Sequence, residues 1–147
     1  FDELEQKYKY LLFLLATQPF RDPAQLRTSF DLFEDPDVDG VMSVYEIERS
    51  PSMLFKKDSE GVLNPIGVRA AAEQRQEIEP LLTPSGCFFY LRVDAFLAQK
   101  SLYTERARGV VTNKLTSIDI DNELDWQIAE AMITASVIRP PMGNVSS

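Results

Sequence analysis

Along the chain, short apolar runs alternate with acidic and proline-bearing turns. Asp2 to Lys9 is charged and patterned like a helix tail, and Tyr10-Leu11-Leu12-Phe13-Leu14-Leu15 is a continuous apolar run, short enough for a strand buried on both faces. A loop, Ala16-Thr17-Gln18-Pro19-Phe20-Arg21, leads to Asp22, which is placed to cap a helix. Pro23 holds the first helical position, Gln25 is set to close a capping box, and Leu26, Phe30 and Phe33 form the apolar stripe. Gly40 to Tyr45 reads as a strand broken by Arg49-Ser50-Pro51, and Phe55-Lys56 with Val62-Leu63 flanks a hairpin turn. Residues 65–80 are polar and read as an excursion from the domain body. Cys87 to Leu91 is the next strand, a short helix covers Asp94 to Lys100, Val110-Val111 begins an extended segment, and residues 140–147 form a flexible tail. Strands alternating with helices predict one α/β domain over residues 1–147, with a mostly parallel sheet.

The most strongly patterned stretch is Ser117 to Glu130. Asp119 and Asp121 alternate with Ile118 and Ile120, which on a strand sends both carboxylates to one face. Asn122 then caps a helix with Asp125 answering it, and Leu124, Ile128, Ala131 and Ala135 recur at helical spacing as its packed stripe. Two carboxylates beside a helix N-terminus suit a hard divalent cation, although acidic residues are favoured there by the helix dipole alone. Ligands of parallel α/β sheets sit beyond the carboxyl ends of the strands. Three patches are expected to meet there: Thr17 to Arg21, Ser85-Gly86, and Asp119 with Asp121.

A second acidic pattern points elsewhere. Asp35 to Glu46 meets the register of an EF-hand calcium loop, with acids at positions one, three and five, glycine at six and glutamate at twelve. The exiting segment Val41 to Tyr45 is strand-forming, and Pro51 arrives too soon for a two-turn helix. A helix, an acidic turn and a strand are the expected structure here, and calcium binding is the lesser alternative.

Composition narrows the chemistry. At 147 residues, 44% hydrophobic and 26% charged, the chain is an ordinary globular domain in make-up. Its net charge of −8 makes nucleic acid or an anionic membrane a poor partner. No apolar run reaches membrane-spanning length, no signal-peptide pattern is seen, and the single cysteine, Cys87, fits a reducing compartment, so a cytoplasmic location is expected. Asn144-Val145-Ser146 matches a glycosylation acceptor and is read as chance. With no histidine, Ser-His-Asp and Cys-His catalysis and the common zinc sites are excluded, leaving carboxylates, Lys/Arg, hydroxyls or an oxygen-bound metal. The chain opens on Phe1, not methionine, which reads as an interior start.

In order, these motifs resemble those of the CMP-sialic acid synthetases (acylneuraminate cytidylyltransferases) and their relatives acting on other nonulosonic acids or on 3-deoxy-manno-octulosonate. Leu14 to Arg21 resembles the family's strand and "QPTSPLR" loop, Asp39 to Lys56 its "DSVVSV…HSP…FK" segment, Arg75 to Gly86 its "RQDLP…NGAIY" segment, and Ser117 to Glu130 its closing "SIDIDTELDFKLAE". The resemblance runs from about Tyr10 to Met132. It implies a Rossmann-like nucleotide-diphospho-sugar transferase fold, N-terminally truncated because the family's Gly/Arg/Lys-rich CTP-binding loop is absent. It also implies Mg²⁺-dependent transfer of CMP from CTP to a sialic-type sugar acid by a homodimeric enzyme, with this chain alone expected to be inactive. Asp119 and Asp121 match the family's metal-binding and catalytic pair, while Thr17, Arg21, Arg75, Gln76, Ser85, Phe88 and Phe89 match sugar-side positions. Leu15 and Gln18 stand where the loop has glutamine and serine, Leu82 replaces a tyrosine, Ser85 an asparagine and Arg49 a histidine. The alternative is a diverged, non-catalytic relative that serves as a binding or dimerisation module.

Overall fold

A computed structural model describes residues 7–47, 54–66 and 80–138. The chain divides into two units, residues 1–45 with 84–147, and residues 46–83.

The first unit is built on a four-stranded sheet. Its strands are β1 (Tyr10–Phe13), β2 (Gly40–Glu46), β5 (Leu82–Arg92) and β6 (Ala107–Val111), in the order β1-β5-β2-β6. β1 pairs antiparallel to β5, with Tyr10 opposite Arg92 and Phe13 opposite Phe89. β2 pairs parallel to β6, with Gly40 opposite Ala107 and Val44 opposite Val111. Between them, β5 runs against β2: the Arg92 N–H reaches the Asp39 carbonyl at 2.8 Å, and the Ser43 hydroxyl brackets the Phe88 backbone from the other end. The α/β class holds. The sheet, however, is not mostly parallel in its pairing, because β5 lies reversed between β1 and β2 and makes two of the three neighbour pairs antiparallel. Sequence alternation cannot reveal strand order, and it is the order that sets the pairing.

Strand position also explains the burial. β2 and β5 are interior strands and contribute Val41, Val44, Cys87, Phe88, Phe89 and Leu91 to the core. β1 is an edge strand whose Leu12 and Phe13 are exposed, along with Leu14 after it, so the expectation of a strand buried on both faces fails for Tyr10–Leu15. An uninterrupted apolar run looks the same from sequence whether it has one neighbour or two.

Helix α1 (Pro23–Phe30) starts as expected: the Asp22 carboxylate accepts the Ala24 N–H at 2.8 Å and Pro23 opens the first turn. Gln25 does not close a capping box. Its amide instead donates to the Val111 carbonyl, tying α1 to β6. A 3-10 turn over Asp31–Glu34 carries Phe33 into the core with Val38, Val41, Cys87 and Phe88, and Tyr10, Leu26, Tyr90 and Val110 pack on this cluster. Tyr10, Phe30, Phe33 and Tyr90 meet at ring separations of 4.9–6.5 Å. The Arg92 guanidinium lies over Tyr10 and Phe33 and donates to the carbonyls of Phe33, Asp35 and Val38. Beyond β5, α2 (Val93–Gln99) leads to the Thr104 turn, which passes so close to Gly40 that a Cβ there would stand 2.6 Å from the Thr104 hydroxyl.

The acidic stretch that meets the calcium register is, as expected, a turn between a helix and a strand, and it is salt-bridged. Arg106 binds Asp37 at 2.9 Å and Asp39 at 2.8 Å, and Arg108 binds Asp35 at 3.2 Å. From position six of the register to position twelve the chain is the extended strand β2, which cannot wrap an ion.

In the second unit, β3 (Phe55–Lys57) and β4 (Leu63–Pro65) form the expected antiparallel hairpin, closed by Asp58, whose carboxylate takes the N–H groups of Glu60 and Val62. Those donors, with the Asn64 amide, hold the Asp58 carboxyl below its usual range. Arg49 with Pro51, residues 67–79 of the excursion, and the tail from residue 140 lie outside the described residues. No helix among the described residues is long and apolar enough to cross a membrane.

Candidate functional site

After β6, Thr112 lies against the end of β2, its N–H and hydroxyl both donating to the Val44 carbonyl. Asn113 caps a 3-10 turn over Lys114–Ser117, and the chain continues without regular secondary structure through Ile118–Asp121. This segment is not a strand, so the two-face argument for Asp119 and Asp121 does not apply. It is held from outside: the Ile120 N–H donates to the Thr17 carbonyl at 2.9 Å. Helix α3 (Glu123–Thr134) then starts with a full capping box, Asn122 accepting from Leu124 and Asp125, and Asp125 accepting from Asp121 and Asn122.

The packed face of α3 is not the one expected. Leu124 is 64% and Ile128 43% exposed, and Ala131 and Ala135 are exposed as well, whereas Ala129 is buried and Asp125 and Met132 are half-buried. Two overlapping helical stripes compete in this sequence. The buried one is marked by a small alanine and an N-terminal capping acid, which hydrophobic spacing does not favour.

The three expected patches do come together. Besides the Thr17–Ile120 bond, Arg21 Nε donates to the Cys87 carbonyl at 2.9 Å, joining the loop to the segment after Ser85-Gly86. Gly86 takes φ +78°, a left-handed conformation that suits glycine. Each patch contains one buried polar atom without a hydrogen-bond partner among the described residues, namely Arg21 Nη2, Ser85 Oγ and Asp119 Oδ1; a fourth such atom, Thr104 Oγ1, lies apart from them beside Gly40. Such atoms are uncommon in folded proteins, and each calls for a physical reason. Thr17 and Asp121 are exposed. Phe88 and Phe89 are core residues, Phe88 in the central cluster and Phe89 edge-on to Tyr103. Arg75 and Gln76 lie outside the described residues. Beside Arg21, a cleft of about 350 Å³ opens between Phe20–Pro23, Asn113–Thr116 and Val137–Ile138.

Sequence reasoning set Gln18 and Cys87 aside, yet both are buried at the junction, where the Cys87 thiol meets Gln18 Oε1 at 3.3 Å. The signal available was a polar residue placed directly between Thr17 and Pro19. Among the described residues, no three acidic, cysteine or histidine side chains gather into an all-protein metal cage. The donor set fits the other mode used for Mg²⁺, one or two carboxylates completed by substrate phosphates, with Asp119 supplying an oxygen that lacks a partner.

No protein-family model matches the chain. The N-acylneuraminate cytidylyltransferase of Streptococcus agalactiae serotype V is 27% identical over 124 residues, which cover 84% of this chain and 30% of that protein. The CMP-N,N'-diacetyllegionaminic acid synthase of Legionella pneumophila is 29% identical over 140 residues, covering 90% of this chain and 57% of that protein. The chain thus spans between about a third and little more than half the length of these curated relatives. Among solved structures, 4-diphosphocytidyl-2C-methyl-D-erythritol synthase from Anaerococcus prevotii superposes with a TM-score of 0.59 at 10% identity, over 90% of this chain and 64% of that one, a likeness of fold alone. In sequence the chain is similar to these two sugar-acid cytidylyltransferases, and its fold is like that of the solved structure.

Proposed function

We propose that this chain carries the metal and sugar-acid side of a cytidylyltransferase site, which in complete form transfers CMP from CTP to a sialic-type sugar acid with release of pyrophosphate. The observation that carries the reading is the joining of Thr17–Arg21, Ser85–Cys87 and Asp119–Asp121 by direct hydrogen bonds, with one unpaired buried polar atom in each. These are also the segments that resemble the relatives. Asp119 and Asp121 would hold Mg²⁺, which would supply neutralisation of phosphate charge. Thr17, Arg21 and Ser85 would line the sugar side, and the protein's contribution is positioning and fixed electrostatics. A homodimer belongs to the same proposal, supported by the open edge of β1 with its exposed Leu12 and Phe13; sedimentation equilibrium checks it.

Binding, not turnover, is the direct test, because the chain spans only part of its relatives. Calorimetric titration of CTP with Mg²⁺ should give heat that requires the metal and disappears in Asp119→Asn. No heat with CTP would leave a non-catalytic relative, and heat unchanged in Asp119→Asn would move the metal elsewhere.

A further inference from the structure

The Gln18 side chain is 1% exposed. A carboxamide buried to that degree must be satisfied by the protein around it, and here Oε1 is the nearest acceptor to the Cys87 thiol, at 3.3 Å. The same thiol sits 3.7 Å from the Thr116 carbonyl and 3.8 Å from the Ser117 hydroxyl, in the turn that leads to Asp119. It has one proton to give, and Gln18 is the closest taker. On its other side, the Gln18 amide packs against Gly86: a Cβ there would lie 3.3 Å from Nε2, and 3.1 Å from Leu15 Cδ1.

Two hydrogen bonds tie the surroundings of this pair to the site, one at the neighbour of Gln18 and one at Cys87 itself. The residue before Gln18, Thr17, holds the Ile120 N–H next to Asp119, and the carbonyl of Cys87 holds Arg21 Nε. We infer that Gln18 and Cys87 are positioning residues: their buried side-chain contact fixes the loop, the Ser85–Cys87 bend and the Asp119 segment relative to one another, so that Asp119 is presented to its ligand without either residue touching that ligand. This rests on Asp119 being the metal-holding carboxylate of the proposed site.

Two readouts separate the inference from that reading. The first needs no ligand: amide hydrogen exchange of Ile120, with Thr112, bonded to Val44, as internal reference. In Gln18→Ala the Ile120 amide should exchange about fivefold to tenfold faster, the worth of one net hydrogen bond, while Thr112 stays unchanged. Cys87→Ala should do the same and also serves if Gln18→Ala fails to fold, whereas Cys87→Ser, which keeps a donor, should restore protection. The second readout is Mg²⁺-dependent CTP affinity, expected to fall about 10-fold to 100-fold in Gln18→Ala and Cys87→Ala and to recover in Cys87→Ser. Unchanged Ile120 exchange in both alanine variants, or an equal rise at Thr112, overturns the positioning role. Faster exchange at Ile120 alone, in a protein whose parent binds no CTP, keeps the coupling and removes the functional reading. Faster exchange with unaltered CTP affinity shows that the coupling does not serve Asp119 and overturns the inference.

Discussion

Asp35, Asp37 and Asp39 cluster in sequence before β2, and Asp119, Asp121 and Asp125 cluster around the start of α3. The first set satisfies a twelve-residue calcium register, although the strand-forming segment after it and Pro51 already argue against an ion there. The fold adds an electrostatic reason. Each carboxylate of the first set has an arginine from β6 or the turn before it, and Asp39, nearly buried, takes both Nε and Nη2 of Arg106. In the second set Asp125 is spent on helix capping, while Asp119 keeps a buried oxygen with no hydrogen bond at all. A carboxylate already neutralised by a guanidinium has little left to offer a cation, whereas Asp119 keeps one oxygen free of any protein partner. Which acids are available depends on basic residues about 70 positions away in the chain, beyond the reach of any local motif.

The largest effect that can break this contrast is at Asp119. Asp119→Asn should abolish Mg²⁺-dependent CTP binding while leaving the thermal midpoint near that of the parent, since the changed oxygen has no protein partner to lose. A collapse of the fold would make Asp119 structural and erase the distinction between the two stretches.

Next in size is Asp39→Ala, which should cost about 1–2 kcal/mol by removing the acceptor of two Arg106 bonds, the figure kept low because the arginine is half in water. Denaturant melts measure it, and no stabilisation by added calcium should be seen in either protein. The same residue shapes the acid limb of stability. The Arg106 hydrogen bonds lower the Asp39 carboxyl below its usual value, against the opposing effect of burial. A carboxyl depressed in the folded state contributes its full stability above the unfolded pKa, near 4, and loses it as pH falls through that value toward the folded one. Asp39→Asn should therefore flatten the fall in stability below about pH 4, only in part because Asp58 is depressed too. An unchanged acid limb would mean that the Arg106 contact does little.

Much of this arrangement was legible. The Asp22 cap with Pro23, the hairpin around Asp58, the strand Gly40–Tyr45 and the Asn122–Asp125 capping box all rest on contacts within a few residues, and all are present. The three patches were expected to meet beyond the carboxyl ends of parallel strands; they do meet, but Ser85 and Gly86 lie within the reversed strand β5 and not beyond a strand end. What was not readable is non-local. Gln25 leaves its expected box for a carbonyl 86 residues away, β1 turns out to be an edge, β5 lies reversed in the sheet, and Gln18 finds Cys87 across 69 positions. Each outcome is set by which element becomes a neighbour, and intrinsic preference gives no information about that.

Helix α3 offers the smallest and sharpest test, because its two halves of the argument predict different signs of surprise. Asn122→Ala removes the acceptor for the Leu124 and Asp125 N–H groups and should cost about 1 kcal/mol, the ordinary worth of an N-cap. Leu124→Asp, read from hydrophobic spacing, would bury a charge and cost several kcal/mol. At 64% exposure it should instead stay within about 0.5 kcal/mol, and the added negative charge in the first turn acts favourably with the helix dipole. Ala129→Asp, on the buried face one turn further along, should show the large loss that the spacing argument assigned to Leu124. If Leu124→Asp proved as damaging as Ala129→Asp, the exposed stripe of α3 would have to be covered in solution. Comparing the loss at two protein concentrations would then tell a second copy of the chain from a contact within one.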